Sequence, residues 1–172
     1  MDTVTVLVVL LMQLLHSAAQ TFQPTNTANL KAAVDACFDE HKGTTKDGLC
    51  PNYLAAQSYP PMGDWDISLV TSLDDMFNGQ EVFENHNVDI SNWNTANVVT
   101  MKKTFMFNNK FNGDISQWNV AKVELMYATF TDNFEFNADI SEWNVGKVQD
   151  FKKCFYYCKK FNADISKVRR FY

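Results

Sequence analysis

Asp89, Asp114, Asp139 and Asp164 stand 25 residues apart, and a ladder of carboxylates at one repeat position could hold calcium, which takes oxygen ligands from several residues. The same residues have a local use. An Asp just after a loop accepts backbone N–H bonds and fixes a turn. That reading is preferred, because Asn94/Asn119/Asn144 and Asn112/Asn137/Asn162 recur in the same way and the Gly-rich nonapeptides of calcium repeats are absent. Trp93, Trp118 and Trp143 form a second column. Indoles in a row could stack on sugar rings, but a core role is preferred, since an exposed row of large aromatics is an aggregation-prone patch. Ligand contact is better sought where the repeats differ, at Lys102, Tyr127 and Lys152 or at Phe107, Asp132 and Tyr157.

Four cysteines, Cys37, Cys50, Cys154 and Cys158, allow three pairings in an oxidising compartment. Cys37–Cys50 is expected, because it closes a short irregular segment with little periodicity to hold it. Cys154 and Cys158 replace Thr104/Thr129 and Asn108/Asn133. They either form a possible second disulfide within one repeat or stay reduced and buried. A metal site is not expected there, since no His lies nearby and two thiolates cannot complete a tetrahedral shell.

Catalysis finds no foothold. After leader removal only His41 and His86 remain, outside the regular repeat. No G-x-S-x-G, H-E-x-x-H or phosphate loop occurs, and nothing singles out a pair among the carboxylates scattered over the repeats, whereas glycosidases need two at a defined separation. The chain is expected to be no enzyme and to carry no cofactor and no metal.

These columns are positioned by three blocks, Asp89–Gly113, Asp114–Ala138 and Asp139–Ala163, which superpose without a gap. A fixed period of that length marks a repeat architecture in which each unit buries its apolar face against its neighbours. Trp65, Val70, Leu73 and Phe77 match Trp93, Val98, Met101 and Phe105 at an offset of 28, so a degenerate first repeat carries three extra residues within Asn78–Asn87. Val98, Met101 and Phe105, like their equivalents, are spaced i, i+3, i+7 and predict a short helix. The D-I-S-x-W segment predicts a short strand stacking in parallel with its neighbours. Ahead of the repeats, Leu30, Ala33, Val34, Cys37 and Phe38 make one stripe, predicting an amphipathic helix over Asn29–His41 capped by Asn26 or Thr27. A loop over Gly43–Gly63 follows.

The expected fold class is therefore α/β, a short leucine-rich-repeat-like solenoid of about four coils with an N-terminal capping helix. Residues 1–19 are expected to be a signal peptide: Val4 to Leu15 are apolar but too short to span a bilayer, and Ser17-Ala18-Ala19 fits the cleavage positions. Residues 20–64 are the cap helix and disulfide-closed loop, and 65–172 the repeats (65–88 degenerate, 89–113, 114–138, 139–163, and 164–172 incomplete). Net charge is −5, with no basic stripe for nucleic acid. No later segment reads as a membrane span or anchor, so the product is expected to be secreted, extracellular or associated with a cell surface.

The pattern D-I-S-x-W-N-V-x-x-V-x-x-M-x-x-x-F-x-x-n-x-x-F-N resembles the BspA-like leucine-rich-repeat surface proteins, long described as a Mycoplasma-type repeat of unknown function and abundant in bacteria and protists. The resemblance covers Trp65 to Ser166. Upstream, Leu30-Lys-Ala-Ala-Val-Asp-Ala-Cys37, Cys50-Pro51 and Gly63-Asp-Trp-Asp-Ile-Ser68 are similar to the segment before the first repeat in algal members, suggesting an algal/protist-like member. The resemblance implies a secreted or surface protein, with adhesion to host or matrix in some bacterial members, and implies no catalytic residues. The expected function is a secreted, non-catalytic recognition or adhesion module binding an extracellular protein or glycan through its solenoid surface. The alternative is a structural coat component that self-associates through its C-terminal end, where Val168, Phe171 and Tyr172 could form a minimal lid over Phe161 and Ile165.

Overall fold

The computed structural model describes residues 21–40, 50–79 and 88–165. The predicted signal peptide, His41 and His86, most of Asn78–Asn87, and Val168, Phe171 and Tyr172 lie outside the described residues.

Helix α1 spans Thr27–Asp39 and buries Leu30, Ala33, Val34, Cys37 and Phe38. It starts where a side chain can satisfy a first-turn donor: the Asn26 side chain accepts from the Asn29 amide at 2.9 Å. Thr27 Oγ1 donates to Ser72 O at 2.9 Å, and the Phe38 ring meets Phe77 edge-on, centroids 6.1 Å apart. These contacts seat α1 on the first repeat. Helix α2, Pro51–Gln57, begins at Cys50 and is held by Glu40, whose carboxylate accepts from the Asn52 and Tyr53 amides at 2.9 and 2.6 Å. The Cys37–Cys50 disulfide ties the two helices. A single 3-10 turn, Met62–Asp64, leads into Trp65.

From Trp65 onward the described residues contain no helix and no strand. The expected α/β leucine-rich-repeat-like solenoid is thus corrected. Neither the short helix at Val98–Phe105 and its equivalents nor the D-I-S-x-W strand forms, and only isolated parallel bridges occur, Ser72 to Thr100, Thr100 to Leu125 and Leu125 to Asp150. The reason is local. Lys103, Ala128 and Lys153 take φ of 54°, 55° and 60°, left-handed values that interrupt a right-handed helix after one turn. In the supposed strand, Asp89, Asp114 and Asp139 each accept the amide two residues on, from Ser91, Ser116 and Ser141, at 3.0, 2.9 and 2.9 Å. That closes a turn where a strand would need an extended backbone.

What stands instead is a pile of turn layers, centred on Phe77, Phe105, Phe130 and Phe155. Three rows of hydrogen bonds join each layer to the next with N–H forward and C=O backward, while the Val99, Glu124 and Gln149 amides return the opposite bond to Thr71, Val99 and Glu124 O. Asp75 donates to Lys102 O, Lys103 to Tyr127 O and Ala128 to Lys152 O; Phe77 to Thr104 O, Phe105 to Thr129 O and Phe130 to Cys154 O; Gly79 to Met106 O, Phe107 to Thr131 O and Asp132 to Tyr156 O, all at 2.8 to 3.0 Å. Each accepting carbonyl shares a peptide group with the next donor, so peptide dipoles run head to tail through the layers and polarise one another. The core repeats in the same register. Phe77, Phe105, Phe130 and Phe155 stack with centroids 5.3, 5.5 and 5.6 Å apart, and Phe111, Phe136 and Phe161 form a second column. Stacked aromatic pairs add roughly 0.5–1.5 kcal/mol each beyond the area they bury.

Candidate functional site

The aspartate ladder is occupied by its own turns. Asp89 Oδ1 takes both the amide and the hydroxyl of Ser91, at 3.0 and 2.7 Å, and these bonds hold its carboxyl below the usual range. Asp66, bonded first by the Ser68 side chain and amide, is lowered in the same way. Asp114 and Asp139 repeat the amide bond. The asparagines do likewise: Asn94, Asn119 and Asn144 accept from Ala96, Ala121 and Gly146, while Asn112 and Asn137 accept from the Asn137 and Asn162 amides one layer on.

The tryptophans lie in the core. Trp93, Trp118 and Trp143 are buried, and their Nε1 groups donate to Met62 O, Ile90 O and Ile115 O at 2.9, 3.0 and 3.1 Å. No indole face of that column is left for a sugar.

The structure records Cys154 and Cys158 as free thiols, so the possible second disulfide is not formed. Burial pushes the Cys154 thiol well up and the Cys158 thiol up to about 12. Neither is the exposed, depressed thiol that reacts readily. Cys158 Sγ instead donates to Phe130 O, much as the Asn108 side chain donates to Phe77 O.

The variable positions come together in two lines. Lys102, Tyr127 and Lys152 supply successive carbonyls of one hydrogen-bonded chain of peptides; Lys102 is paired with Asp74 at 3.1 Å, and Lys152 is exposed. Phe107, Asp132 and Tyr157 form the other line, with Phe107 52 % and Tyr157 57 % exposed and Asp132 half-buried between them. All three are left-handed, at φ 61°, 57° and 58°, where the first layer has Gly79 at 66°. A large aromatic in that conformation is uncommon and strained. Here two of them are held on a hydrogen-bonded scaffold with their rings turned to solvent. Sequence reasoning missed Tyr156, 50 % exposed and packed edge-on against Tyr157 at 4.4 Å, and missed the backbone conformation. The one signal was Gly79, standing 28 residues before Phe107.

Among the described residues no helix is long and apolar enough to cross a membrane. A family model described as "Mycoplasma protein of unknown function, DUF285" matches residues 52–168, from within α2 through all four layers. No curated protein and no solved structure matches the chain.

Proposed function

The chain belongs to the DUF285 family, and on that premise we propose that it is a non-catalytic protein of the extracellular space or cell surface that binds a protein or glycan. The observation that carries this reading is the line Phe107–Asp132–Tyr157. Two exposed aromatic rings flank a carboxylate on a scaffold fixed by backbone hydrogen bonds, and rigid aromatics beside a polar group are the usual anchors of a recognition surface. A disulfide at Cys37–Cys50 fits an oxidising compartment.

The test is a screen of the whole chain against panels of glycans and extracellular-matrix proteins, repeated with the double variant Phe107→Gly/Tyr157→Gly. Glycine accepts the left-handed backbone that costs other residues about 1–2 kcal/mol, so the variant should melt at the same temperature or higher. It should also lose about tenfold or more in affinity for any ligand found, the scale of an interface anchor. No ligand in either panel, or full binding by the variant, contradicts the reading.

A further inference from the structure

We infer that the flank carrying Phe107, Asp132 and Tyr157 takes a β-1,4-linked glycan lying along the stack, with alternate sugars on the two rings and the sugar between them over Asp132. The inference rests on the reading of this line as a binding surface and names its ligand. The line belongs to the side of the molecule. Phe107 has a hydrogen-bonded layer on both sides of it, through the Gly79 amide to Met106 O and its own amide to Thr131 O, and is still 52 % exposed. Hydrogen-bonded neighbours lie about 4.8 Å apart, and the core rings of these three layers, Phe105, Phe130 and Phe155, stack at 5.5 and 5.6 Å. Phe107 and Tyr157, two layers apart, therefore stand on a spacing of about 10 Å. Two sugars of an extended β-1,4-linked chain span the same length.

The layer between the two rings is recessed. Ala128 and Thr131 stand where the layers beside it carry Lys103 and Met106 or Lys153 and Tyr156, and both are buried. Phe107, Asp132 and Tyr157 share one left-handed conformation, φ between 57° and 61°, so the Cα–Cβ bonds of the two aromatics leave the scaffold in the same direction. Tyr156 braces the second ring edge-on, centroids 4.4 Å apart, and Lys153 Nζ lies 5.7 Å over the Tyr156 ring. Backbone strain of this kind persists only where the surroundings impose it, and it gathers at ligand sites. Glycine takes the same place in the first layer without it.

A β-1,4 linkage between equatorial oxygens turns each sugar over relative to the last. Every second sugar thus offers the same C–H face to the same side, which matches a ring in every second layer. The sugar between them crosses the recess and brings its edge hydroxyls to the Asp132 carboxylate, which no described residue bonds to or pairs with. An α-1,4-linked chain coils and a β-1,3-linked chain bends, so neither keeps a sugar on both rings. A basic peptide meets like charge at Lys103 and Lys153, four residues before the rings. An anionic chain meets Asp132 at its midpoint.

The experiment titrates the whole chain calorimetrically with cellohexaose and chitohexaose, with maltohexaose and laminarihexaose as controls for linkage, and with cellobiose and chitobiose as controls for length. At least one β-1,4-linked hexaose should bind about tenfold or more tighter than either linkage control and than its own disaccharide, which reaches one ring only. Comparing the two hexaoses tells a plain chain from an N-acetylated one. Phe107→Gly and Tyr157→Gly, which keep the left-handed backbone, should each bring the hexaose down to the level of its disaccharide. The linkage and length comparisons need no variant and hold whether or not the substitutions are tolerated. No binding of either hexaose at millimolar concentration, equal binding of maltohexaose, a disaccharide as tight as its hexaose, or full hexaose binding by the glycine variants overturns the inference. If it fails while another ligand still needs Phe107 and Tyr157, the glycan class alone is refuted and the broader reading stands.

Discussion

Trp118 ties two layers at once. Its indole is 3 % exposed, stacks on Trp93 at 6.2 Å and donates to Ile90 O, so its removal leaves a cavity and takes away one of the two bonds that Ile90 O accepts, the other coming from the Trp93 amide. Trp118→Ala should cost about 3–5 kcal/mol, read from chemical denaturation; a loss under about 1 kcal/mol would return the Trp column to the surface. The thiols make a second prediction. A pKa raised by folding stabilises the protein fully below the unfolded value and less as pH climbs through the folded one. Stability should therefore hold to about pH 9 and decline above it, since Cys158 keeps its proton in the fold up to about 12 and burial holds Cys154 higher still. Cys154→Thr/Cys158→Asn, which restores the residues found at Thr129 and Asn133, should flatten that decline; an identical alkaline profile contradicts the assignment. Residue types, columns and the Cys37–Cys50 pairing were all readable in the sequence. Left-handed φ at Lys103 or Phe107 was not, because neither residue type favours it and only the surrounding hydrogen bonds impose it.

At the scale of elements, α1 was legible and the repeats were not. The stripe from Leu30 to Phe38 has one interpretation, and α1 takes it within two residues of the expected Asn29–His41 at each end. Because the Asn26 side chain supplies the first-turn acceptor, Asn26→Ala should lower stability by about 1 kcal/mol, measured as a shift in denaturation midpoint; no shift means that burial alone holds the helix. In the repeats, the i, i+3, i+7 spacing of Val98, Met101 and Phe105 suits two turns of helix, but a tight turn, a left-handed residue and a second tight turn bring the same residues to one face. Periodicity reports which side chains are buried together and not the backbone that joins them. The Asp columns point to turn formers while the same D-I-S-x-W segment suggests a strand, and the Asp–Ser turn bond decides for the turn.

At the scale of the whole molecule, the period of 25 residues foretold that neighbouring blocks share one core but not how their backbones meet. The parallel hydrogen-bonded chains of peptides have a direction, and with it the described part of the molecule has two unlike ends: α1 against Ser72 O at the first layer, and a row of amide donors at the last. The segregation of charge along the chain runs the same way, with seven basic and eighteen acidic residues before Lys147 and eight basic and two acidic from there on. Composition averaged it to −5 and hid it. Hydrogen exchange of the backbone amides in the free, whole chain reads this organisation most directly, because amides bonded between packed layers open only with the global transition while unbonded ones exchange freely. Strong protection is expected at Lys103, Phe105, Phe107, Ala128, Phe130 and Asp132, and rapid exchange at Lys153, Phe155 and Tyr157. Equal, rapid exchange at all nine would contradict the layered hydrogen-bonded stack on which the proposed surfaces depend.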